Sequence, residues 1–203
     1  MPHFFTRRFA FLGVALVLLA LTGIAITTAQ ATSSGQVARG VLRLVDNLDR
    51  PQDGYCLDIA GSGPWVDISV PLSAHNCKGR EYGDQMITYN NKSGRIRFPD
   101  YRVCLTALGR AGRSLELMPL IVRQCVEEAD AQTSPFVGPA VQSFFHRPDG
   151  RVELGQSGLC LAVGPTSDTT FSPADKWRAL YLDRCEQIPA SRSVWRPIPS
   201  PAA

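Results

Sequence analysis

Gly54-Tyr55-Cys56-Leu57-Asp58 recurs as Arg102-Val103-Cys104-Leu105-Thr106 and again as Gly158-Leu159-Cys160-Leu161-Ala162. In each copy an apolar residue or Tyr precedes a Cys-Leu pair, and a second cysteine follows after a loop, at 77, 125 and 185. The two cysteines of a copy are 21, 21 and 25 positions apart. Recurrence of one segment along a chain is the mark of a repeat architecture, and it governs how every other residue is read.

Upstream of each Cys-Leu pair stands a second matching segment: Gly40-Val41-Leu42-Arg43-Leu44, Gly94-Arg95-Ile96-Arg97-Phe98 and Gly150-Arg151-Val152-Glu153-Leu154. Apolar residues occupy the third and fifth places each time, the period-two pattern of a strand with one buried face. The glycine precedes the cysteine by ten residues in the second and third repeats but by sixteen in the first. The stretch Asp49-Arg50-Pro51-Gln52-Asp53 is therefore read as a longer loop.

Downstream of the second cysteine comes a third recurring feature, a Gln or Ser followed two places later by a bulky apolar residue. It reads Gln85-Met86-Ile87, Gln142-Ser143-Phe144 and Ser193-Val194-Trp195. Its offset from the cysteine is the same in the first and third copies, whereas the second carries nine extra residues rich in turn formers. Such insertions belong on surface loops. No stretch after residue 31 offers a long helical period, and 127–132 is expected to make at most a short helical turn.

One such unit cannot bury its apolar face alone. Three around an axis can close a barrel and remove exposed strand edges, which predicts an all-β domain of the β-trefoil kind. Ile87, Phe144 and Trp195 are expected in its core. Equivalent positions in equivalent units should pair alike, giving the bridges Cys56-Cys77, Cys104-Cys125 and Cys160-Cys185. The competing reading, metal ligation, lacks any Cys-x-x-Cys or His cluster at usable spacing.

The N-terminus reads as an export signal. Arg7 and Arg8 precede an uncharged run from Phe9 to Ile26, and Ala29-Gln30-Ala31 offers a small-residue cleavage site. An uncleaved membrane anchor is the alternative, because that run approaches the ~18 residues a spanning helix needs. The expected organisation is a signal peptide over 1–31, a polar linker over 32–39, one trefoil domain over 40–199 and a tail over 200–203. Export would carry the six cysteines to an oxidising compartment, at the cell surface, in a periplasm or in the medium.

Removal of Arg7 and Arg8 leaves 19 basic against 18 acidic residues. A nearly neutral chain has no electrostatic footprint of a nucleic-acid binder and no polybasic membrane patch. Nucleic acid is thus not an expected partner, and no membrane insertion is expected after signal cleavage.

Gly-x-Cys-Leu-Asp, a cysteine about twenty residues later, and then Gln-x-Trp, three times over, resembles the ricin B-type lectin domain. The resemblance runs from about Val41 to Pro197, with the last element degenerate as Gln-x-Ile, Gln-x-Phe and Ser-x-Trp. It implies a β-trefoil that binds sugars without catalysis, with galactose-like or related glycans as ligands. In that family the acidic residue after Cys-Leu accepts from sugar hydroxyls, which implies Asp58; the other repeats have Thr106 and Ala162 there. The flat platform two places before the second cysteine is His75 here, against Arg123 and Asp183. The orienting polar residue before the Gln is Asp84, with Gln85 beside it.

Only the first repeat therefore holds a full set, Asp58, His75, Asp84 and Gln85. Each also has an ordinary structural reading, as a turn carboxylate, a surface imidazole or a partner for a turn amide. Trp65, in Gly61-Ser62-Gly63-Pro64-Trp65, is expected to cover the barrel or else reach the same pocket. A second reading makes the chain a receptor-binding or scaffold subunit of a secreted toxin-like assembly, its sugar sites vestigial. Catalysis finds little support: only His75 and His146 follow the signal, and no nucleophile or metal motif surrounds them. No cofactor and no metal is expected.

Overall fold

The computed structural model describes residues 36–79, 82–110, 113–126 and 139–200. The signal-peptide expectation, the 127–132 turn and the end of the tail lie outside them. The described residues belong to one compact unit, Thr32–Ala203.

Each repeat contributes four main strands. The first gives β1 (Gln36–Leu44), β2 (Tyr55–Asp58), β3 (Ser73–Asn76) and β4 (Ile87–Asn90). The second gives β5 (Arg95–Phe98) and β6 (Val103–Ala107), a small ribbon of β7 (Gly109–Arg110) and β8 (Arg113–Ser114), then β9 (Leu120–Gln124) and β10 (Phe144–His146). The third gives β11 (Val152–Leu154), β12 (Leu159–Val163), the short β13 (Asp168–Thr169), β14 (Lys176–Arg184) and β15 (Trp195–Pro199). Among the described residues the helical segments are single 3-10 turns, such as Gly63–Trp65.

The outer strands of the three units form a barrel. β1 pairs with β4, β4 with β5, β10 with β11, and β15 returns to β1. The gap between β5 and β10 is joined by the Phe144 amide donating to the Gly94 carbonyl at 2.7 Å. That between β11 and β15 is joined by the Trp195 amide donating to Gly150 at 2.8 Å.

The inner strands make three hairpins, β2–β3, β6–β9 and β12–β14, that meet at one end of the barrel. β14 pairs with β3, Pro119 bridges to Tyr181, and the Leu72 amide donates to Leu120. Register repeats along with sequence: Arg43, Arg97 and Glu153 face Cys56, Cys104 and Cys160. This is the three-fold β-trefoil that the recurring segments predict, and all three cysteine pairs are bridged as the repeats require.

The core follows the alternation. Leu42, Leu44, Ile96, Phe98, Val152 and Leu154 point inward, as do the leucines of the three Cys-Leu pairs. Ile87, Phe144 and Trp195 are fully buried, and the Trp195 indole N–H donates to the Leu161 carbonyl at 3.0 Å. β1 starts at Gln36, inside the 32–39 stretch that composition assigns to a linker. Gln36 and Val37 pair through their backbones with Asn90 and Tyr89, and backbone pairing leaves no trace in composition.

The glycines that open β5 and β11 are there for the close approach. Gly94 has φ +68°, and a Cβ on it would lie 2.8 Å from the Phe144 amide nitrogen. Gly94→Ala should therefore cost more than the ~1–3 kcal/mol of left-handed backbone strain alone. Gly155→Ala, at φ +56° with open space around it, should cost only the strain. Urea unfolding of both variants checks this, and equal losses would show that the barrel seam tolerates a methyl.

Candidate functional site

The sequence-singled residues gather where the first repeat meets the third. β3 is flanked by β2 on one side and β14 on the other, and cross-strand partners share a face. Asp58, Ser73 and Ala179 stand in one row across these strands; Cys56, His75 and Trp177 stand in the next. Except for the cysteine, these residues line a cleft of ≈ 940 Å³. The loop after β2, through Ala60, Gly61 and Ser62, lines it as well. So do Thr170, Phe171 and Asp175, from the connection between β13 and β14.

Asp58 is the buried acid of the cleft, only 2% exposed. Its Oδ2 accepts from Gln85 Nε2 at 2.7 Å and lies 3.4 Å from Lys78 Nζ. The same ammonium donates to Asp84 Oδ2 and sits 5.2 Å from the centre of the Tyr82 ring. Burial pushes the Asp58 carboxyl up to about 7, although Lys78 and Gln85 both pull it down. Near neutral pH Asp58 thus exchanges between a carboxylate that accepts from hydroxyls and an acid that can donate to them.

Asp84 and Gln85 are equally buried but stand beside the cleft, not among the residues lining it. Gln85 has a counterpart that explains it. Its Nε2 donates to Asp58 and to the Asn76 carbonyl, and its Oε1 accepts from the Lys78 amide at 3.0 Å. In the second repeat Gln142 Nε2 donates to Thr106 Oγ1 and the Gln124 carbonyl, and its Oε1 accepts from the Val126 amide at 2.9 Å. The glutamine is a clasp across its own repeat, and Asp58 or Thr106 completes the clasp. In the third repeat Ala162 offers no partner at that place, and Ser193 instead donates to the Pro189 carbonyl.

His75 lies on the cleft face with its Nε2 3.4 Å from Thr170 Oγ1. Burial lowers its pKa below the ordinary imidazole value. The neutral ring is the form suited to stacking. Trp65 does neither thing expected of it: the Gly63–Trp65 turn leaves it 83% exposed, off the barrel and out of the cleft lining. The cause is local, since the Asp67 amide closes the loop onto the Ala60 carbonyl and turns the segment outward.

Lys78, Tyr82, Phe171 and Trp177 escape a reading built on positions that the repeats share. The first two follow the second cysteine, where no repeat shares a residue type. The latter pair comes from the third repeat, whose cysteines are four positions further apart than the others. That lengthening is the sequence's trace of the β13–β14 hairpin. The longer loop before β2 is tied in here too. Asp49 accepts from the Tyr55 hydroxyl and from Arg178, Ser167 and Lys176, binding the first repeat to the third. Burial alone would raise its pKa, but those four donors outweigh it and hold the carboxyl far below the usual range.

Among the described residues, no group of three or more His, Cys, Asp or Glu side chains could hold a metal. None of their helices is long and apolar enough to cross a membrane.

No protein-family model matches the chain, and no curated protein matches it. Solved structures do. The mdaA-1 domain, known from a solution structure, is 14% identical with a TM-score of 0.54, over 81% of this chain and 93% of that one. The β-trefoil lectin of Vibrio vulnificus hemolysin/cytolysin, solved with N-acetyl-D-lactosamine bound, is 16% identical with a TM-score of 0.48, over 82% of this chain and 97% of that one. The likeness to the mdaA-1 domain is one of fold, and it takes in nearly the whole of that domain.

Proposed function

We propose that the protein is a non-catalytic carbohydrate-binding protein whose single sugar site is the first-repeat cleft, with galactose-like or related glycans as its ligands. The observation that carries this reading is the cleft itself, where a buried carboxyl, a neutral imidazole and an ammonium converge on one concave face. A sugar needs acceptors for neighbouring hydroxyls and a flat surface for its C–H face. Asp58 and His75 supply these, while Asp84 and Gln85 act from behind, fixing Lys78 and Asp58. The second and third repeats lack the acid, with Thr106 and Ala162 in its place. The bridged cysteines suit an oxidising compartment, and the proposed place of action is outside the cytosol, after cleavage of the N-terminal signal.

A glycan array of wild type beside Asp58→Ala tests the proposal. Binding is expected for galactose-terminated glycans and is expected to fall about tenfold or more in the variant, the loss of a hydrogen-bonded charged group. Unchanged binding by the variant would remove the site.

Exposed apolar side chains favour a second reading, a subunit of a toxin-like assembly with the sugar site vestigial. Trp65 and Ile68 on one loop and Leu115 and Leu117 on another face solvent. Co-purification with a catalytic chain supports that reading, and a monomer with glycan affinity counts against it.

A further inference from the structure

We infer that the cleft is shared between two repeats and takes an oligosaccharide laid across β3, with its terminal unit at Asp58 and His75 and the following unit against Phe171 and Trp177 of the β13–β14 hairpin. The inference rests on the sugar-binding reading of the same cleft and adds the length of the ligand and the residues that measure it.

Three observations carry it. The register places Asp58 and Trp177 on opposite sides of β3, on the same face, so one concave surface runs from the first repeat to the third. Its volume, ≈ 940 Å³, stands near the top of the ~300–1,000 Å³ range of clefts that enclose whole drug-sized ligands. One hexose ring would leave much of it filled with water. Phe171 is 96% exposed although it lines the cleft, whereas an aromatic of that size ordinarily buries most of its surface.

The polar groups are distributed to match. Asp58 and Lys78 serve the first-repeat end. At the other end stand Thr170, whose hydroxyl donates to the Asp175 carbonyl at 3.3 Å, and the Asp175 carboxylate, which accepts from Ser172 Oγ at 2.7 Å. A saccharide has this alternation of hydroxyl edge and apolar face in every unit, so each end of the cleft can take one. The hairpin that supplies the second end is held in place by Lys176 and Arg178 on Asp49, so the added wall is fixed before any ligand arrives.

The test is a calorimetric titration with galactose and with a galactose-terminated tetrasaccharide, on wild type, Phe171→Ala and Asp58→Ala. Phe171 is solvent-exposed, so its replacement leaves the fold intact. In wild type the tetrasaccharide is expected to bind about tenfold tighter than galactose. Phe171→Ala should erase that ratio and leave galactose affinity unchanged, while Asp58→Ala should weaken both ligands alike. Equal affinities in wild type, or a ratio that survives Phe171→Ala, would overturn the shared cleft while leaving a one-unit sugar site standing. Failure of the wild type to bind either ligand would instead overturn the sugar-binding reading, and the shared cleft with it.

Discussion

Lys78→Met is expected to lower the unfolding free energy by about 3–5 kcal/mol at pH 8, the loss that follows when one partner of a buried ion cluster is removed. The methionine keeps the length of the stem, so packing is largely preserved. What goes is the ammonium that, among the described residues, stands between Asp58 and Asp84, and both acids are almost wholly out of solvent. The effect should depend on pH with a definite sign. Asp58 has a folded pKa raised above its ordinary 3.8 to about 7, so its contribution to stability is fully present below 3.8 and is lost as pH rises through 7. Without the ammonium the carboxylate is harder still to ionise, so the deficit of the variant should shrink at pH 5, where Asp58 is neutral. Urea unfolding at pH 5 and pH 8 measures this, and a deficit that is the same at both would show that Asp58 does not feel Lys78.

Full reduction of the three bridges is expected to unfold the domain at 37 °C. Each bridge closes a loop of 21 or 25 residues, which in the chain-entropy account constrains the unfolded state by roughly 3 kcal/mol. Three such terms are of the size of the whole ~5–15 kcal/mol stability of an ordinary domain. Because the loops lie in separate repeats, each bridge restrains a different part of the chain, and their contributions should come near to adding. Circular dichroism of the protein with and without dithiothreitol decides it: a reduced protein that still melts cooperatively above 50 °C would show that the barrel core suffices.

The recurrence of Cys-Leu made the architecture legible, because a trefoil writes the same strand three times and a bridge between equivalent places can be read by symmetry. Leu42 and Leu44, Ile96 and Phe98, and Val152 and Leu154 carried the alternation into the barrel strands as the sequence required. The candidate site was legible only where it obeys the repeat. Asp58 and His75 stand at repeat positions and reach the cleft; Lys78, Phe171 and Trp177 stand where the repeats differ, and a threefold comparison shows only the wider third cysteine pair, not the residues it brings. Gln85 shows the opposite difficulty. It keeps its repeat position because the clasp needs it there, as Gln142 shows, so its recurrence reports the fold. Trp65 failed for a third reason: a large aromatic in a glycine-rich loop suggests burial, but the hydrogen bond from Asp67 to Ala60 decides where the loop points.

The barrel is closed by its first strand lying against its last. Gly40 through Leu44 is in register with Pro199 back to Trp195, and β14 of the third repeat is likewise zipped to β3 of the first. A chain emerging in order must hold β1 with one edge open until some 150 further residues have been made, an interval set by the positions of Leu44 and Trp195. The bridges within repeats give the waiting units local order, each able to form from its own neighbourhood. The cleft between the first and third repeats, by contrast, exists only once β14 has reached β3, so its concave face forms late, after more than a hundred residues between its two walls have been made.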